Sequence, residues 1–103
     1  MIRCGSCGAR LDPEGGPGPA AHITGEVLGD EVTDTWFLCQ ACDAYTVEVV
    51  RDRFLGDPES WVRAPVPRAE GDERVRLIRR CAEPWDKRCT CPAHRACFGQ
   101  AEG

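Results

Sequence analysis

Eight cysteines in 103 residues constrain this chain more than any other feature. They fall in two sets. Cys4 and Cys7, then Cys39 and Cys42, are pairs with two residues between their members. Cys81, Cys89, Cys91 and Cys97 crowd the C-terminal part, with His94 among them. A chain this short buries a limited apolar core, and small modules add disulfides or metals as staples. The N-terminus, Met-Ile-Arg-Cys-Gly-Ser-Cys, has no apolar signal region. No stretch approaches the roughly eighteen apolar residues of a membrane span. A cytoplasmic location is therefore expected. There, clustered cysteines hold metal or do redox chemistry more often than they form disulfides.

Charge divides the chain unevenly. Residues 1–61 carry four Lys/Arg against eleven Asp/Glu, and residues 62–97 carry nine against five. The net charge of −4 argues against indiscriminate nucleic-acid binding by the whole chain, while the basic second part leaves room for a local surface. Attraction between the two parts is the plainer explanation of the asymmetry. Three segments are expected: a module over 1–56, a linker over 57–71 rich in Pro and Gly, and a module over 72–103.

Along the chain, Asp12 to Pro19 holds three prolines and three glycines and reads as a loop. Residues 20–28 suit a strand, and Gly29 to Asp34 is acidic and turn-like. Thr35 to Leu38 runs into Cys39-Gln-Ala-Cys42. Tyr45, Val47 and Val49 then alternate on one face of a second strand. A strand, a tight cysteine turn and a strand make a β-hairpin with ligands at its tip. Asp72 to Ala82 reads as a short helix capped by Asp72, with Val75, Ile78 and Ala82 on one face and Pro84 as its stop.

Two residues between cysteines let one tight turn present both sulfurs to a single ion. Two such turns complete a tetrahedral site of four thiolates, here Cys4, Cys7, Cys39 and Cys42. Gly8 and Asp43 follow the two turns and tolerate positive φ there. Four protein ligands leave no open position for substrate, so such an ion is structural or carries electrons. The motifs Cys4-Gly-Ser-Cys-Gly and Trp36-Phe-Leu-Cys-Gln-Ala-Cys, with the strand after them, resemble a zinc ribbon over about residues 1–54. The same spacing, with Asp12-Pro-Glu-Gly-Gly, is similar to rubredoxin, the iron-binding relative. This chain has Ala9-Arg10 and Cys39-Gln-Ala-Cys42-Asp43 where rubredoxins carry an aromatic residue and Cys-Pro-x-Cys-Gly. Zinc is therefore the expected ion, with iron as the alternative.

The C-terminal run is Cys81-x7-Cys89-x-Cys91-x2-His94-x2-Cys97, five candidate ligands for a four-coordinate ion. Cys91 and His94 share a helical face if a turn begins at Pro92, a residue suited to a first helical position. The expected set is Cys81, Cys89, Cys91 and His94, with Cys97 as alternative fourth ligand.

The expected fold is a small metal-bound α+β chain: zinc-ribbon-like antiparallel hairpins, a short helix and a second Cys/His knuckle. Two zinc ions are its expected cofactors. His22 stands apart from both sets. Trp36, Trp61 and Trp85 suit packing around metal sites or stacking on bases. No nucleophile triad, phosphate loop or paired carboxylates are evident, so neither an enzyme nor a small-molecule site is expected. The expected function is a binding module for a protein or nucleic-acid partner, with the basic region over 74–95 as its surface. The alternative is a rubredoxin-like electron carrier.

Overall fold

Two long runs of β-branched and aromatic residues set the frame. In a computed structural model, which describes residues 2–11, 18–53 and 56–98, they are the central strands of one antiparallel sheet. The strands are β1 (Ala21–Val27), β2 (Asp30–Cys39), β3 (Ala44–Asp52), β4 (Glu59–Val62) and β5 (Val66–Pro67). The spatial order is β1-β2-β3-β4, with β5 also pairing β3 beside the β2–β3 turn. Two helices follow, α1 (Arg68–Arg79) and α2 (Pro92–Phe98). The α+β architecture thus holds.

Alternation assigns each face a separate task. Ile23, Val32, Trp36, Tyr45, Val47 and Val49 point to one face and form the main core with Val75 and Ile78 of α1 and Ala93 of α2. Trp36 meets Tyr45 edge-to-face, with ring centroids 5.8 Å apart. The opposite face, near the β2–β3 turn, carries Phe37 and Cys39. These pack with Ile2, Cys4 and Leu11 as a second small core. One sheet therefore supports a helical layer on one side and the N-terminal knuckle on the other.

Several elements differ from the sequence reading. The acidic stretch after Gly29 is strand, because Leu28 and Gly29 close a two-residue hairpin with φ of 52° and 87°. Both central residues of such a turn need positive φ, and leucine there hides the signal that Asn-Gly would give. The stretch 57–71, read as a linker, instead contains β4, β5 and the first residues of α1, and both strands hydrogen-bond to β3. The helix starts at Arg68, right after Pro67, and has no side-chain cap. Asp72 is inside it. Its carboxylate accepts a hydrogen bond from Tyr45 Oη at 2.5 Å and pairs with Arg68 at 3.5 Å. Ala82 lies beyond the helix, leaving Val75 and Ile78 as the buried pair. Of the Asp12–Pro19 loop, residues 12–17 lie outside the described residues.

Asp34 is the unexpected core residue. Its side chain is fully buried in β2, and Oδ2 accepts a hydrogen bond from Arg63 Nη2 at 3.3 Å. Burial pushes its carboxyl up, and the nearby Arg63 and Arg74 guanidiniums oppose that rise. A buried carboxylate needs such partners. Here they tie the chain after β4 to the sheet beneath α1.

Gly71 brings α1 closest to the sheet. A Cβ at this position would overlap the Tyr45 ring. Gly71→Ala should therefore destabilise the metal-loaded chain by about 1–3 kcal/mol, even though alanine favours helix by about 1 kcal/mol. Urea unfolding of the two proteins checks the sign.

Candidate metal centres

The first group is built on two matching turns. Gly8 N donates to Cys4 O at 3.0 Å, and Asp43 N donates to Cys39 O at 2.8 Å. Gly8 and Asp43 have φ of 80° and 57°, the left-handed conformation expected at both positions. The second turn is the β2–β3 tip, since Cys39 and Ala44 are paired residues. The first is held over the sheet by Gly5 N donating to Thr46 Oγ1 at 3.2 Å, and by Ile2 and Leu11 packing on Phe37. The β1–β2 hairpin lies within the stretch of thirty-one residues that separates the pairs.

The spacing of the sulfurs is informative. Cys4 Sγ and Cys42 Sγ are 3.7 Å apart, as are Cys7 Sγ and Cys39 Sγ. Four sulfurs placed tetrahedrally about 2.3 Å from an ion stand about 3.8 Å from one another. The four ligand atoms all lie within 4.8 Å of one another, so the group could hold one metal ion.

The second group joins the end of α1 to α2. Cys81 follows the helix, and its N–H donates to Ile78 O at 3.0 Å. Cys89 and Cys91 come from the intervening loop, and His94 from the first turn of α2. Cys81 Sγ lies 3.8 Å from Cys89 Sγ, and His94 Nδ1 lies 3.7 Å from Cys81 Sγ and 3.2 Å from Cys91 Sγ. A tetrahedral ion bound by sulfur and imidazole nitrogen calls for about 3.6 Å between those atoms. These four residues form the second group that could hold a metal.

The buried ring of His94 is oriented from behind. Its Nε2 is 2.8 Å from the Thr24 carbonyl of β1. A carbonyl only accepts, so Nε2 carries the proton and the Nδ1 lone pair faces the sulfurs. This support was not legible in the sequence, because Thr24 acts through its backbone, seventy positions away.

Proton affinities within each group are divided. Burial opposes ionisation of Cys4, yet backbone N–H groups of Cys7 and Ser6 and the neighbouring thiols bring it down to about 6. Hydrogen bonds shared with Cys7 and Cys4, in which Cys42 keeps its proton, push Cys42 up to about 12, and burial pushes Cys39 up. In the second group, burial pushes Cys81 up to about 12. Burial acts the same way on Cys91, but its hydrogen bonds with the His94 side chain and backbone and with Cys81 and Cys89 together bring that thiol down to about 6. Crowded thiols resist giving up several protons together. A cation at the centre removes that resistance, because the ligand is the thiolate.

Cys97 stands outside the second group. It lies on α2 beside Arg74, whose Nη1 is 3.9 Å from its sulfur, and burial raises its thiol. His22 is exposed on β1, in neither group. Among the described residues no helix is long and apolar enough to cross a membrane. Comparison of the chain with protein-family models, curated proteins and solved structures finds no match. The zinc-ribbon likeness therefore rests on the paired turns alone.

The geometry separates His94 from Cys97 as ligands. His94→Ala should lower the metal content by one ion per chain, while Cys97→Ala leaves it unchanged. Elemental analysis of the purified variants reads both.

Proposed function

We propose that this chain is a non-enzymatic module stapled by two structural zinc ions, which presents a rigid surface to a macromolecular partner. The carrying observation is that each group gathers four candidate ligand atoms within 4.8 Å of one another, the first from two distant turns and the second from the stretch 81–94. A closed four-ligand shell has no position for substrate or water, which suits a structural ion and not a hydrolytic one. Soft thiolates with one imidazole at the second site favour zinc. Zinc there also fits a neutral, oriented histidine.

Each ion would do different work. The first joins the N-terminal turn to the hairpin tip. The second fixes the loop between α1 and α2 against the sheet edge. Because ligands must be deprotonated and gathered, metal binding and folding are coupled.

Metal content tests this reading. Purified chain should be colourless and hold two zinc ions, and a strong chelator should abolish its near-ultraviolet circular dichroism. Red protein with one iron per chain would instead mark the first group as a rubredoxin-like electron-transfer site. A single zinc per chain would refute the second centre.

A further inference from the structure

The two edges of the sheet are finished differently. The strand order leaves β1 and β4 outermost. In an antiparallel ladder every second residue turns its N–H and C=O away from the neighbouring strand. On β1 such a residue is Thr24, and both of its groups are used. Its N–H donates to Pro84 O, and its carbonyl accepts from His94 Nε2. On β4 the register pairs Trp61 with Val49 and Glu59 with Arg51, and Arg63 N donates to Val47 O just beyond. These odd-numbered residues face β3. The N–H and C=O of Ser60 and Val62 therefore point outward, and among the described residues no strand pairs with them.

The side chains of β4 leave this edge unguarded as well. All four of its residues are exposed, and Trp61 and Val62 keep 44 % and 45 % of their surface in solvent. Open edges are commonly blunted by lysine, proline or a bulge. Glu59-Ser60-Trp61-Val62 contains neither lysine nor proline, and its register with β3 runs without a break. Proline stands only outside the strand, at Pro58 and Pro65, and limits the open edge to a few residues.

We propose that β4 pairs with β4 of a second copy of this chain, antiparallel and centred on Trp61, so that two sheets join across a two-fold axis. In that register the segment is complementary to itself. Ser60 stands opposite Val62 of the second copy, and Val62 opposite Ser60, so the outward groups close four hydrogen bonds. Trp61 meets its own counterpart at the closer, non-hydrogen-bonded position, where aromatic pairs stabilise a sheet. Glu59 stands opposite Arg63, and Arg63 opposite Glu59, on the face that carries Trp61. A slip of one residue would set outward groups against inward ones. An in-register parallel pair would set Glu59 against Glu59 and Arg63 against Arg63. Both side chains also have a partner within the chain. Arg53 Nη2 lies 3.0 Å from Glu59 Oε1, an exposed pair of small worth. Arg63 reaches Asp34 through Nη2 at 3.3 Å, and its half-exposed guanidinium has further donors. Such an interface closes at two copies, and β1 cannot extend the sheet further where Pro84 and His94 occupy its edge. One short strand buries little area, so association is weak. No candidate metal ligand lies on β4, so this edge is independent of which ions the chain holds.

The test uses the full metal-loaded chain at concentrations from about 5 to about 500 µM, a range suited to a small interface. Sedimentation equilibrium reads the mass, and amide hydrogen exchange followed by nuclear magnetic resonance reads the edge. The mass should rise from that of one chain towards that of two. The Ser60 and Val62 amides should exchange several-fold more slowly at the top of the range than at the bottom, while the inward Trp61 amide changes less. Ser60→Pro removes an outward donor without touching a bond to β3, and should raise the dissociation constant about tenfold or more. Glu59→Arg sets like charges opposite one another and should also weaken the dimer, with a smaller loss at about 1 M salt. If Ser60→Pro does not fold, Glu59→Arg decides. Three results overturn the proposal: a mass that stays that of one chain throughout, a dimer whose Ser60 and Val62 amides exchange as fast as at dilution, or a dimer that neither variant weakens. The metal content of the same samples bears on the two-metal module and not on this edge, so the two readings can fail separately.

Discussion

Four thiols whose sulfurs lie within 4.8 Å of one another could hold one metal ion between them. Burial and mutual hydrogen bonding push Cys39 and Cys42 up in the first group and Cys81 up in the second, while Cys4 and Cys91 are each drawn down to about 6. The N-terminal residues have few other reasons to stay in place. Their small core is Ile2, Cys4 and Leu11 on Phe37 and Cys39, and it surrounds the sulfurs it depends on. A metal ion held there would act as one unit with the apolar packing at this end of the sheet.

The second group solves a different problem. Helix α2 is only seven residues long, too short to persist by its own hydrogen bonds. It is held from three sides. Cys91 and His94 bind it to the group that includes Cys81, Nε2 of His94 donates to β1, and the buried Ala93 joins the main core. The same ligands anchor the loop that carries Trp85, so an exposed indole gains a fixed position without being buried.

Between the two groups, the sheet holds the chain together. Strand β3 pairs with β2, β4 and β5, and Tyr45 at its start meets Trp36, Gly71 and Asp72. Asp34 adds a buried charge in the neighbouring strand, balanced by guanidiniums from beyond β4 and from α1. Breaking such a balance by removing one partner costs more than the pair itself contributes, because it strands a buried charge. That makes the cluster a test of register: α1 and the chain after β4 must arrive where Arg74 and Arg63 meet the carboxylate.

The sequence by itself determined what is local. Cysteine spacing pointed to the first group outright and to the second with its fourth member open, since two intervening residues or one helical turn already bring side chains within reach of one ion. The residue types at Gly8 and Asp43 announced their positive φ, and alternation at Tyr45, Val47 and Val49 announced the buried face of β3. Only the tertiary structure decided what depends on distant partners. That His94 and not Cys97 lies with Cys81, Cys89 and Cys91 depends on the fold, in which the Thr24 carbonyl orients the ring and has no side-chain signature. The short pieces β4 and β5 hide among prolines and become strands only because β3 offers them an edge. The Leu28-Gly29 turn lacks the usual residues and is imposed by the two strands it joins. Local chemistry writes itself into adjacent residues. Pairing across the sheet is enforced by hydrogen bonds and burial between residues that the chain order keeps far apart.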